Sequence, residues 1–275
     1  NAVSNLIGPI AAGVLYVLFS IQSLMSAAVF LFFSAAVMEL FIYIKFEREK
    51  IQAGVVEIIK SDLKLSLKFI SREQPVMLRV MLVTSGMNLF LTSMILVGLP
   101  AIIKISLGLS SQFYGFAEGA MAAGMIFGGI TASAAGKKIK AEHSYKFLAA
   151  ASFSLLPISA AFFLKLNPML TYYIVLSSAF LISAAVTLFT VVMMSFIQRQ
   201  TPNHLIGKVI SYILLISQCT LPFGQALYGF VFEHFIYSIN LIVLFTAIGS
   251  LLIALYSKNT FAQILELKRV PVFES

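Results

Sequence analysis

A carboxyl group inside an apolar stretch is the side chain best suited to picking up and releasing a proton, and Glu118 stands in that position. No other charged residue occurs between Lys104 and Lys137. Glu118 lies about six residues into its apolar run, roughly 9 Å deep at the helical rise of 1.5 Å per residue. A charge at mid-bilayer costs about 2.5–3.5 kcal/mol on insertion scales, so such a group faces a cavity or a partner. Two readings stay open for it. It binds a proton or a cationic solute, or it sits in a water-filled vestibule without a transport role.

Uncharged polar residues form three stripes at helical spacing. Ser85, Asn88 and Thr92 fall on one face; Ser211, Gln218 and Gln225 repeat every seven residues; Ser183, Thr187 and Thr190 make the third. Each stripe can line a solute path or hydrogen-bond a neighbouring helix, the latter at about 0.6 kcal/mol per contact. The amides of Asn88, Gln218 and Gln225 need several partners each, which makes these three the candidates for a substrate or proton pathway beside Glu118. Pro222 removes a backbone donor close to Gly224, so this pair is a candidate hinge or a static bend. Glu39 can snorkel toward the end of its run, and Glu233 and His234 read as interfacial.

Enzyme constellations are missing. The sequence has no G-x-x-x-x-G-K-[ST] phosphate loop, so energy from ATP by that route is excluded. Three His and one Cys, with no His/Cys cluster, argue against a metal site. No cofactor and no enzymatic activity are expected. Cys219 alone cannot form an intrachain disulfide.

These side chains must be positioned by elements that live in lipid. Of 275 residues, 60% are hydrophobic and 11% charged, against about 25% charged in soluble domains. Mean hydropathy is +0.97. Runs of about 20 apolar residues cross the hydrocarbon core as helices, and eight such runs are present, at 2–19, 22–44, 76–103, 112–135, 145–164, 169–196, 208–232 and 237–256. Alternating short segments, the mark of a barrel, are not seen. The net charge of +8 does not indicate nucleic acid, because the charges sit in short loops between apolar runs. With the loops 45–75, 136–144 and 198–207 and the tail from 257 assigned to the cytoplasm, every Lys and Arg except Lys104 and Lys165 lies at that side.

Within 45–75, Ile51, Val55, Ile58, Ile59, Leu63 and Leu67 recur at helical spacing among Lys60, Asp62, Lys64 and Lys68. The spacing predicts an amphipathic interfacial helix, serving either as a linker or as a lipid sensor. Ala120, Gly124, Gly128, Ala132 and Gly136 place a small residue every fourth position, a ladder for close helix packing. Gly8–Tyr16 aligns with Gly224–Phe232, each with two glycines five apart, and at the same offset the run from Gln22 falls on the one from Tyr237. A repeat of six helices follows. The chain, which starts at Asn1, then reads as a piece of a twelve-helix protein lacking its first four helices.

Three segments carry a resemblance. The stretch from Gly8 to Tyr16 is similar to the fifth helix of the major facilitator superfamily. Leu99-Pro100 with Leu107-Gly108-Leu109-Ser110-Ser111-Gln112-Phe113-Tyr114-Gly115 resembles its link from the seventh helix to the eighth. Phe196-Ile197-Gln198-Arg199-Gln200-Thr201-Pro202-Asn203, continuing to Val209, resembles the loop between the tenth and eleventh helices of the macrolide-efflux and multidrug-exporter branch. The copy of the superfamily's basic loop, at 136–140, has the glycine and lysines but no Asp. The resemblance implies an all-α, major-facilitator-type bundle with about eight transmembrane helices present. Residues 1–44 would end the N-terminal bundle, 45–75 connect, 76–256 form the C-terminal six-helix bundle, and 257–275 form a cytoplasmic tail. It also implies a secondary transporter of a bacterial cytoplasmic membrane, exporting amphipathic small molecules by proton antiport. Its partners would be the bilayer, protons and a small hydrophobic or amphipathic substrate, with no nucleic acid. Another cargo on the same fold, such as a siderophore or sugar, and a non-transporting remnant or assembly subunit are the alternatives.

Overall fold

The computed structural model describes residues 21–41, 75–135, 139, 141–202 and 205–267. The run at 2–19, the glycine repeat at Gly8, the amphipathic segment 45–74, Gly136 and the tail beyond 267 lie outside the described residues. Those described are helical, with no strand among them, as lipid demands of a chain that must satisfy its own backbone.

The helices in chain order are α1 (Ile21–Glu39), α2 (Pro75–Met87), α3 (Ser93–Pro100), α4 (Ser111–Ala135), α5 (Tyr145–Phe153), α6 (Leu156–Phe163), α7 (Pro168–Gln200), α8 (Ile206–Phe235) and α9 (Ile239–Leu267). A π-helical segment, π1 (Asn88–Thr92), joins α2 to α3, and a second, π2 (Ala101–Ser106), extends α3, so that the whole forms one rod. Among the described residues, six stretches are long and apolar enough to cross a membrane. One of them, 206–258, has 53 residues, about 80 Å if straight and far beyond a 30 Å core. It folds back as α8 and α9 through a short turn at Ile236–Ser238.

Some predicted runs differ in detail. The helix of the 22–44 run stops at Glu39 and a turn follows at 40–41. The 145–164 run breaks at Ser154–Leu155 into α5 and α6. Pro157 is the cause: it has no N–H for the Phe153 carbonyl and is best placed in the first turn of a new helix. The last run, expected at 237–256, continues as helix to Leu267.

From α2 to α9 the helices pack in the spatial order α4, α7, α5–α6, α9, the α2–α3 rod, α8. The rod supplies much of the core, with Met77, Val80, Val83, Leu91, Met94, Ile102 and Ile103 almost fully enclosed. At the other edge α4 lies closely on α7. A methyl added at Gly124 would meet the Phe180 carbonyl at 2.3 Å, and one at Gly128 the Ala184 carbonyl at 2.5 Å. The small-residue ladder is therefore a packing seam, since only a missing side chain lets two backbones come this near. By contrast, α1 buries none of its side chains within the described residues.

Candidate functional site

The rod meets α8 along a polar seam. At π1 the helix widens, and the Asn88 carbonyl receives both the backbone N–H and, at 2.8 Å, the hydroxyl of Ser93. The Asn88 side chain spans the helices: its amide donates to the Ser217 carbonyl at 2.9 Å, and its Oδ1 accepts from Thr92 at 3.3 Å. Thr220 Oγ1 donates to the Ser85 carbonyl at 3.0 Å and to that of Ser217 at 2.7 Å. Ser93 Oγ also reaches the Leu221 carbonyl at 3.3 Å.

This seam lies where α8 is weakest. Pro222 removes the donor that would meet the Gln218 carbonyl, yet α8 runs through it unbroken. Side chains from the rod bond the carbonyls of Ser217 and Leu221 on either side of the freed one. Gly224 sits at the closest approach. A methyl there would fall 2.2 Å from Ser93 Oγ and 2.5 Å from the Leu89 carbonyl. The geometry gives Gly224 a packing role, which stands beside the expected hinge.

Gln218 and Gln225 point away from this seam and are exposed, as are Ser211 and Cys219. An amide exposed in mid-helix is poorly matched to lipid tails, so this face of α8 suits an aqueous path or another protein surface. Close by, π1, α8 and α9 flank an open apolar groove of about 590 Å³, lined by Phe90, Tyr228, Val231, Phe235 and Phe245 among others. Its wall carries one polar pair, Tyr228 and Thr246, with their hydroxyls 2.7 Å apart.

Glu118 is elsewhere. It lies on α4, whose neighbours are α7 and π2, so the predicted pathway residues fall into two groups and not one cluster. Its carboxylate accepts a hydrogen bond from the Tyr114 hydroxyl at 2.7 Å, one turn earlier on the same helix. Over the ring of Tyr114 stands the ammonium of Lys104, 5.3 Å from the centroid. Tyr172 of α7 anchors this end of α4 by donating to the Phe113 carbonyl at 3.0 Å, with its ring edge-on to Phe113 at 5.0 Å. Tyr114 and Lys104 are not among the site residues expected from the sequence. The signal for the first was present, because Tyr and Glu four apart share a helix face.

Among the described residues no group of His, Cys, Asp and Glu is placed to hold a metal ion. The sequence profile described as Major Facilitator Superfamily matches residues 1–224. The chain belongs to the major facilitator superfamily. It is thus an integral, multi-pass membrane protein and a transporter of the major-facilitator type. No curated protein and no solved structure matches it.

Proposed function

We propose that this major-facilitator protein is a proton-coupled exporter of amphipathic small molecules, of the macrolide and multidrug kind. The observation that carries the reading is Glu118, a half-buried carboxylate within a membrane span, held by a hydroxyl at 2.7 Å. A carboxyl so placed has the chemistry to exchange a proton for a cationic or neutral solute during one transport cycle. Movement of one charge through 100 mV is worth about 2.3 kcal/mol, enough to sustain a useful concentration ratio. Residues 76–256 would form one six-helix half and 1–44 the end of the other, joined by 45–75, with the termini of α7 and α9 that carry Arg199 and Lys258 in the cytoplasm. The exposed amides of Gln218 and Gln225 would line the solute path, Asn88 would brace it, and the proline and glycine of α8 would bend as the halves rock.

The test is efflux of labelled macrolides and cationic dyes from cells expressing the full-length protein, with and without a protonophore. Efflux that stops when the proton gradient collapses, and that Glu118→Gln also stops, is the expected result. Efflux indifferent to both sinks the proposal. No efflux of any compound, with insertion confirmed, points to another cargo or to a protein that does not transport.

A further inference from the structure

The Lys104–Tyr114–Glu118 arrangement holds a cation of the protein's own. The Lys104 ammonium lies 5.3 Å from the Tyr114 centroid, within the roughly 6 Å over which a ring face attracts a cation. The same ring donates its hydroxyl to the Glu118 carboxylate at 2.7 Å, a length typical of a charge-assisted bond. Donation to an anion pushes electron density back into the phenol, so this face is more negative than that of an isolated tyrosine. Ring and carboxylate therefore act as one anionic surface.

That surface is only loosely filled. Lys104 is exposed and stands over the ring; it makes no ion pair with Glu118 in the structure. Beside the carboxylate the helix is bare: Gly115 and Gly119 have nothing within 4 Å of where a methyl would project. A bulky organic cation can lie against this flat backbone with its charge between ring and carboxylate. To do so it need only displace a tethered, solvent-exposed ammonium.

We infer that Tyr114 and Glu118 form a binding site for organic monocations, and that Lys104 occupies it as a built-in competitor. The inference rests on the assignment of Glu118 above and deepens it: the solute class at that residue is cationic, and Lys104 sets how tightly it is held. A cation–π contact at an exposed site corresponds to about a two- to fivefold change in affinity, which is the competition Lys104 offers.

The experiment is equilibrium binding of tetraphenylphosphonium to the full-length protein in nanodiscs, corrected against empty nanodiscs, with no proton gradient. Lys104→Met is expected to tighten binding by about two- to fivefold, and Lys104→Arg to leave it near the native value. Glu118→Gln is expected to weaken it by about tenfold, the effect of roughly 1.4 kcal/mol. Tyr114→Phe keeps the ring and should retain more affinity than Tyr114→Leu, which loses it. The melting temperature of each variant is followed alongside, and the exposed Lys104 variants keep the test alive if a helix variant unfolds. Unchanged or weaker binding in Lys104→Met overturns the competitor role. Native affinity in Glu118→Gln, or no saturable binding by the native protein, overturns the site. Because the measurement needs no gradient, it can succeed where proton-coupled efflux fails, and fail where efflux succeeds.

Discussion

Replacing Gly224 by alanine probes the rod–α8 seam most directly. The new methyl would fall 2.2 Å from Ser93 Oγ, 2.5 Å from the Leu89 carbonyl oxygen and 2.6 Å from Ser93 Cβ. Relaxed non-bonded contacts lie at about 3.5–4.0 Å, so α8 must retreat from the rod by roughly 1 Å. Overpacking of this kind costs about 1–3 kcal/mol. The retreat also stretches the Ser93–Leu221 bond, already 3.3 Å, and the Asn88–Ser217 bond at 2.9 Å, each worth about 0.6 kcal/mol. The expected loss is about 2–4 kcal/mol. Gly229→Ala is the control, since nothing lies within 4 Å of its added methyl; it should be neutral or stabilise by up to about 1 kcal/mol, the helix propensity of alanine over glycine. The assay is steric trapping or reversible SDS unfolding of the full-length protein in bicelles. Adding Ser93→Gly to Gly224→Ala removes two of the three clashing atoms and should recover part of the loss. Equal stability for Gly224→Ala and Gly229→Ala would refute the close approach and the seam built on it.

Three further outcomes follow from the same geometry. On α4, Gly128→Ala should cost about 1–3 kcal/mol in the same unfolding assay, because its methyl would meet the Ala184 carbonyl at 2.5 Å, whereas Gly129→Ala, which has open space, should not. Tyr172→Phe loses the 3.0 Å bond to the Phe113 carbonyl and should cost about 0.6 kcal/mol, measured against the native protein in that assay. Cys219, exposed beside Gln218, should react with a membrane-impermeant methanethiosulfonate if this face of α8 lines water; a thiol that reacts only after unfolding would place that face in lipid or against protein.

The spans were legible because lipid leaves a chain few options: each described apolar run from 22 onward forms helix, and the ladder at Gly124 and Gly128 packs as its spacing predicts. The break at Ser154–Leu155 follows from Pro157, whose missing N–H counts for more than the length of the apolar run. The π segments were not readable, because a widened turn comes from the fit between helices and leaves no residue pattern of its own. The stripe Ser85, Asn88, Thr92 was seen, but its direction was not: periodicity gives a face, and only packing shows that this face meets the Ser217 and Leu221 carbonyls. Glu118 stood out by charge alone. Its companions did not, since Tyr114 belongs to an ordinary apolar pattern and Lys104 reaches it across a turn.

The spatial order of the helices sets a timetable for synthesis. Asn88 and its acceptor Ser217 are 129 residues apart in the chain. At about 5–20 residues per second, the ribosome needs on the order of 6–26 s after Asn88 to deliver its partner. Throughout that interval the rod has neither α8 nor α9 to lie against, and the Asn88 amide is without the Ser217 carbonyl it bonds in the finished bundle. The rod is thus the first of these packed helices to be made and among the last to be completed, so an element that supplies much of the core depends on whatever shelters it while the ribosome finishes the chain.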